Sequence, residues 1–584
     1  MLVLIFRILS VTTVVLLSGC SFFSSKNDVS IVAVDSNKTG EVKERITLKG
    51  LKDSIDPDVL YTLLTAELAG QRGQYDIALE GYLIAAKKSK DPKFAERAVM
   101  IAMYTKDNAK TNEALDLWLK LDAKNQAARK IATLVAIRAG DRALAVEQLN
   151  AVLGMDPDAF EGVLLELTAL LEKEGKQSEV SEVLEALLAK HPDNADISFI
   201  QALLAIQNKD KKLAEIKINQ ALKLKPDWDK ALILKAQISI LSGDLGAAKS
   251  LLTQASIKFP TNLKISKMLA QVLIKSNQFK EALGLYHKIV VNNPADVESQ
   301  MAEALVYMQL NQTDEAEAIF KKFENQSEWK YQSYFYLGKI KEKQGQIKKA
   351  IALFDKVSDG AFAFDAGISV ITLLHKDKQF DEVDLRLSSL QAKFPKQKIK
   401  LMLIQAEFYS QQKEYEKSLV LINRALADYP NQKEFLYARA LIAEHLNKMD
   451  IVEGDLKKIL EVEPNNVEAL NALGYSLLNR PDRYSDAEKY LKKAIFLAPN
   501  EAVIVDSYGW LQFKLGNAVE ALELLQRAYE KQKENEIAAH LAEVLWALGK
   551  KEEAEKLFNQ VVRENPNDEY LKDVGKRIFK GAKQ

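Results

Sequence analysis

Two runs of prolines measure this chain like a ruler. Pro157, Pro192, Pro226, Pro260 and Pro294 stand 35, 34, 34 and 34 residues apart, and the run from Pro395 through Pro430 and Pro464 to Pro499 resumes at 35, 34 and 35. A proline cannot continue a helix and biases the residue before it toward extended geometry, so each interval must hold helices that stop at a fixed place. Small residues recur inside the intervals at fixed offsets. Gly474, Ala487 and Ala494 are followed one period on by Gly509, Ala521 and Ala528, and then by Ala542, Ala554 and Val561. Small side chains at such offsets let two helices of a unit approach closely, while larger apolar neighbours fill the gaps to the next unit. One such unit cannot bury its own apolar face. Stacked units share a continuous core, so the 584 residues count repeats rather than globular domains.

The pattern resembles the tetratricopeptide repeat (TPR): a helix-turn-helix of about 34 residues with small residues at the eighth and twentieth positions and a closing proline. The resemblance implies an all-α fold, a right-handed TPR superhelical solenoid of about fifteen helix-turn-helix repeats. N-terminal repeats are expected over 57–294 and C-terminal repeats over 396–566. Between them, 295–395 reads as a middle, irregular set of three repeats without intervening terminal prolines, and its last part, 360–395, opens with Asp359-Gly360 and has weak small-residue positions that suit a hinge. Segment 567–584 reads as a capping helix, with Tyr570, Leu571, Val574, Ile578 and Phe579 on one apolar side.

At the other end, Arg7 precedes an apolar run from Ile8 to Leu17, and Leu17-Ser18-Gly19-Cys20 follows. The run suits a secretory signal and is too short to span a bilayer. The four residues resemble a bacterial lipobox, which implies a lipoprotein signal peptide over 1–19, cleavage before Cys20 and lipidation of that cysteine. The absence of aspartate at position 21 resembles lipoproteins sorted to the outer membrane, facing the periplasm. Residues 20–56 then read as the lipidated cysteine and a flexible tether. An ordinary signal peptide with an incidental cysteine is the other reading.

Chemistry is hard to find in this sequence. With 81 basic and 81 acidic residues the net charge is zero, which disfavours nucleic-acid binding. Cys20 is the single cysteine, so an internal disulfide or a multi-thiolate metal centre is excluded. His191, His287, His375, His445 and His540 lie in different repeats without metal-ligand spacing. There is no nucleophile elbow, phosphate loop or dinucleotide fingerprint, so no catalytic residue, metal or cofactor is assigned and an enzyme is not expected. A solenoid offers a concave face instead. Side chains three positions before the small eighth residue, and one and four after it, are expected to line that face. In the last three repeats they include Asn471, Tyr475, Asp506, Trp510, Phe513, Glu543 and Trp546, a candidate groove for protein partners. Packing of the same aromatics against their own repeats is the alternative.

Leu64 to Arg72 with Tyr75 to Leu79, and at the other end Asn471 to Tyr475, Asp506 to Trp510 and His540 to Trp546, resemble proteobacterial outer-membrane TPR lipoproteins, in particular the lipoprotein partner of a periplasmic carboxyl-terminal processing protease. That resemblance implies an adaptor that tethers the protease and presents substrates such as cell-wall hydrolases. A scaffold for envelope assembly machinery, serving a pilus, secretion or outer-membrane complex, is the competing reading.

Overall fold

The computed structural model describes residues 56–579. The signal peptide, Cys20, nearly all of the tether and the last five residues of the capping segment lie outside the described residues. Among the described residues there are 31 α-helices and no strand. Thirty of the helices pair off as hairpins, giving fifteen TPR repeats. The chain divides into two compact units, one ending at Phe320 and the other beginning at Lys321. The first holds eight hairpins, from Pro57–Gln71 with Tyr75–Ser89 to Val297–Gln309 with Thr313–Phe323, whose last helix reaches the division. The second holds seven, from Lys330–Lys343 with Ile347–Asp355 to Asn535–Ala547 with Lys551–Glu564, and then the terminal helix Glu569–Val574.

Local chemistry sets where the helices start. After Pro192, Pro260, Pro294, Pro464 and Pro566 an Asp or Asn takes the N-cap of the next helix, where its side-chain oxygen satisfies an otherwise orphaned backbone N–H. Asn194 accepts from the Ile197 amide at 3.1 Å, Asn262 from Ile265 at 3.2 Å and Asn466 from Ala469 at 2.9 Å. Between the two helices of a repeat the chain turns through a left-handed residue in fourteen of the fifteen repeats, the exception turning through Pro481–Arg483. Glycine fills this place at Gly549 (φ 80°), yet Lys413 holds the same conformation (φ 62°) without one.

The small positions work as the spacing requires. A Cβ built on Gly474 would lie 2.6 Å from Leu491 Cγ and 3.2 Å from the Ala487 carbonyl oxygen, so only glycine lets these two helices meet. Ala487, Ala521 and Ala554 are fully buried at the second-helix position. Large side chains fill the remaining space, Trp118 in the first unit and Phe435 in the second among them.

In the stretch around 360–395 the irregularity lies before the repeat rather than inside it. Helix Ile347–Asp355 has nine residues, and the connection after it turns at Gly360 (φ 81°). Ala363–Lys376 and Phe380–Lys393 are then complete 14-residue helices. Gly367 takes the small position against Leu390, and Arg386 bonds back to Asp355 at 2.7 Å. In the capping segment Glu569–Val574 is an α-helix, and Gly575–Phe579 widens into a π turn. Phe579 there stacks on Phe558 with ring centroids 4.3 Å apart, and Gly575 lies close under the same Phe558 ring.

A candidate partner-binding groove

In the second unit the first helices of successive repeats lie side by side, and residues recurring every three or four positions along each share one face. Over Ala363–Lys376, Lys398–Gln411 and Lys433–His445 that face is open. It forms a groove of about 1230 Å³ whose floor carries Ile368, Leu403, Ile404, Phe408, Tyr437 and Leu441. Phe408 is held flat against His375, ring centroids 4.0 Å apart, and His445 lies flat on Tyr415 at 4.5 Å. Below the floor, polar pairs fix each helix on its partner. The Arg439 guanidinium donates to both oxygens of buried Asp455, at 2.6 and 2.7 Å. Tyr409 donates to Asp384 at 2.8 Å, and burial, reinforced by that carboxylate, pushes the phenol up to about 12.

The sequence register picks out these residues when it is applied to the three repeats just before the last three. With Ile371, Ala406 and Ala440 in the eighth position, three before and one after give Ile368 and Thr372, Leu403 and Glu407, and Tyr437 and Leu441. All six line the groove. Tryptophan marks the other end of the unit, whereas the open face here is built from aliphatic residues, Phe408 and Tyr437.

At the last three repeats the same face is drawn shut. Asp506 and Trp510 are buried, at 4% and 7% exposure. His540 Nδ1 sits 3.0 Å from an Asp506 oxygen, and the Trp510 ring lies on the imidazole at 4.1 Å, with Phe513 stacked on the far side at 5.2 Å. Tyr475 reaches across two repeats to donate to Glu536 at 2.6 Å, its hydroxyl 3.3 Å from His540 Nε2. Burial pushes the Tyr475 phenol up, with the neighbouring Glu536 charge adding to it. Burial also raises the Glu536 carboxyl, and Asp506 adds to that, while the Tyr475 hydrogen bond and His540 oppose it. The structure therefore brings Tyr475, Asp506, Trp510 and Phe513 into one cluster with Glu536 and His540, two residues the sequence reading did not assign to it.

Glu543 and Trp546 sit apart from that cluster, against the terminal helix. Arg577 donates to both Glu543 oxygens at 2.7 and 2.8 Å, and Phe579 meets Trp546 edge-on at 5.0 Å. The Asn471 amide oxygen is buried without a hydrogen-bond partner among the described residues. The terminal helix also reaches the groove's edge, where Glu569 pairs with Lys413 across 156 residues of chain. In the first unit a comparable closure occurs at Ala195–Gln207, ten of whose 13 residues are buried, and Lys230 bridges past it to Glu161 at 2.8 Å.

No group of His, Cys, Asp and Glu among the described residues could hold a metal ion, and no described helix is long and apolar enough to cross a membrane. Paired helices at this period, small residues at the crossings and a concave first-helix face define a TPR protein, a scaffold suited to protein–protein interaction, and the chain belongs to that family. Family models described as tetratricopeptide repeat match residues 181–227, 239–306, 297–324, 332–359 and 512–578. The chain is similar to TPR repeat-containing protein PA4667 of Pseudomonas aeruginosa, 37% identical over 537 residues that cover 91% of this chain and 89% of the relative. Among solved structures it is similar to yeast Tom70, 17% identical over 88% of this chain and 98% of that one with a TM-score of 0.33. It is also similar to Naa15/Naa10 bound to HypK-THB, 13% identical over 86% of this chain and 99% of that one with a TM-score of 0.31.

Proposed function

We propose that this chain is a non-enzymatic adaptor, anchored by a lipid on Cys20 to the outer membrane and facing the periplasm, that holds a carboxyl-terminal processing protease and presents its substrates, cell-wall hydrolases among them. The observation that carries the adaptor reading is the open groove over Ala363–Lys376, Lys398–Gln411 and Lys433–His445, which suits an extended segment of a protein partner. The protease and its substrates rest on the resemblance of the motifs at both ends of the chain. The lipid anchor rests on Leu17-Ser18-Gly19-Cys20. Tethering two proteins on one scaffold raises their effective concentration for each other without new chemistry.

The test is capture from a periplasmic extract by residues 21–584 produced without the lipid, followed by mass spectrometry. Recovery of a serine protease together with a cell-wall hydrolase supports the adaptor. Recovery of pilus, secretion or outer-membrane assembly subunits without a protease replaces it with the assembly scaffold. For the anchor, Cys20→Ser is expected to move the protein from the membrane fraction to the soluble periplasm.

A further inference from the structure

The groove's two ends carry opposite charge. At the earlier repeat Lys396, Lys398 and Lys400 crowd the start of the first helix against one carboxylate, Asp428, which lies 3.8 Å from Lys398. Lys400 is posed over the Phe364 ring at 5.4 Å, and neither Lys396 nor Lys400 has an ion-pair partner among the described residues. One repeat later the balance begins to reverse, and Glu468 stands a repeat further on. Lys433 is paired with Glu463 at 2.9 Å, and Glu434 and Glu468 stand beside it with no ion pair of their own among the described residues. Glu468 and Glu444 are also close enough to Tyr437, on the groove floor, to help raise its phenol, although burial is the larger cause. Lys396, Lys400, Glu434 and Glu468 all line the groove and are all exposed.

We infer that the groove takes an extended peptide segment of mixed polarity: a carboxylate-bearing end against Lys396 and Lys400, apolar side chains over Leu403, Phe408, Tyr437 and Leu441, and a cationic end against Glu434 and Glu468. This rests on the reading of the groove as a partner surface. Lys400 and Glu468 belong to first helices two steps apart, with Glu434 on the helix between them, and neighbouring helix axes lie roughly 8–10 Å apart. At about 3.3 Å per extended residue, on the order of five or six residues separate the two charges of the bound segment. Charges placed in this way select partners more than they add raw affinity, because like-charged juxtapositions at either end reject the wrong sequence.

The experiment uses residues 21–584 and three fluorescently labelled peptides sharing one apolar core of about six residues. One is flanked by two aspartates and two lysines, one by aspartates only and one by lysines only. Fluorescence anisotropy at low salt is expected to give the mixed peptide about fivefold tighter binding than either of the others. The double variant Lys396→Glu with Lys400→Glu should weaken the mixed peptide by a similar factor and tighten the all-lysine one. Equal affinities for the three peptides, a charge reversal that shifts all three alike, or no binding of any of them overturns the inference. The adaptor reading fails separately. If Leu441→Asp abolishes capture of the natural partner while the lysine reversal changes neither capture nor peptide preference, the groove stands and its polarity falls. If Leu441→Asp leaves capture intact, the groove itself is not the partner surface.

Discussion

Asp506 and His540 lie on the first helices of successive repeats and meet with His540 Nδ1 3.0 Å from the carboxylate, both side chains buried and the Trp510 ring flat on the imidazole. A buried polar pair of this kind is costly to break from one side, because the survivor loses its partner without regaining water. Asp506→Ala should therefore destabilise the last repeats by about 1–3 kcal/mol. Trp510→Ala, which empties a space among packed rings, should cost about 3–5 kcal/mol. Hydrogen exchange resolved by segment is the measurement, with protection lost over 502–547 and retained in the first unit. Unchanged protection in the Trp510 variant would mean that the ring is not part of the core there.

Leu441 projects into the groove at 41% exposure, so replacing it has little to do with stability. Leu441→Asp is expected to shift stability within about 0.5 kcal/mol. Its effect on partner capture should be a loss of about 2 kcal/mol or more if the residue anchors the bound segment. Chemical denaturation and pull-down on the same preparation separate the two effects.

Glu536 supplies a pH dependence of definite sign. Burial raises its carboxyl above the usual 4.5, so the folded chain keeps the proton to higher pH than the unfolded chain does. The stabilisation this gives is complete below the ordinary glutamate range and is lost as pH rises through the raised folded value. Glu536→Gln preserves an oxygen for the Tyr475 hydroxyl and cannot ionise. Melting temperatures from acid to neutral pH should show wild type losing ground to the variant as the pH rises, and parallel curves would exclude the effect.

Two helical glycines should respond in opposite directions to alanine. Gly474→Ala drives a Cβ into Leu491 and the Ala487 carbonyl and should cost about 1–3 kcal/mol. Gly454, in Met449–Val462, has open space within 4 Å of where a Cβ would stand, and Gly454→Ala should stabilise by about 0.5–1 kcal/mol. Denaturant melts of the two variants decide it.

The proline ruler and the small residues at fixed offsets carried the fold, because both state a local geometric requirement: where a helix must stop and where two must touch. Repeat number follows from the same periodicity. The open groove was less legible. Whether the face at a given register position is open depends on how tightly neighbouring repeats curve, and that is decided by contacts two repeats apart, such as Tyr475 with Glu536 or Lys230 with Glu161. Nothing local to Trp510 records that His540 will cover it. Nor does anything local to Leu441 record that its face stays open.

Glu569→Lys should release the terminal helix from its long-range contact, raising exchange over 569–579, and the exchanged pair Lys413→Glu with Glu569→Lys should restore protection. Screening makes the effect stronger at low salt.

The bond between Lys413 and Glu569 also works as a gauge of register. Every residue pair within a hairpin would survive the loss or gain of a whole repeat, since neighbours would simply re-stack. This pair would not: one repeat fewer or more between Tyr415 and Pro566 carries Glu569 a full hairpin away from the turn at Lys413. The array thus has a count written into it: the terminal helix packs on the last repeat alone, but its ion pair to Lys413 closes only with the native number of repeats between them.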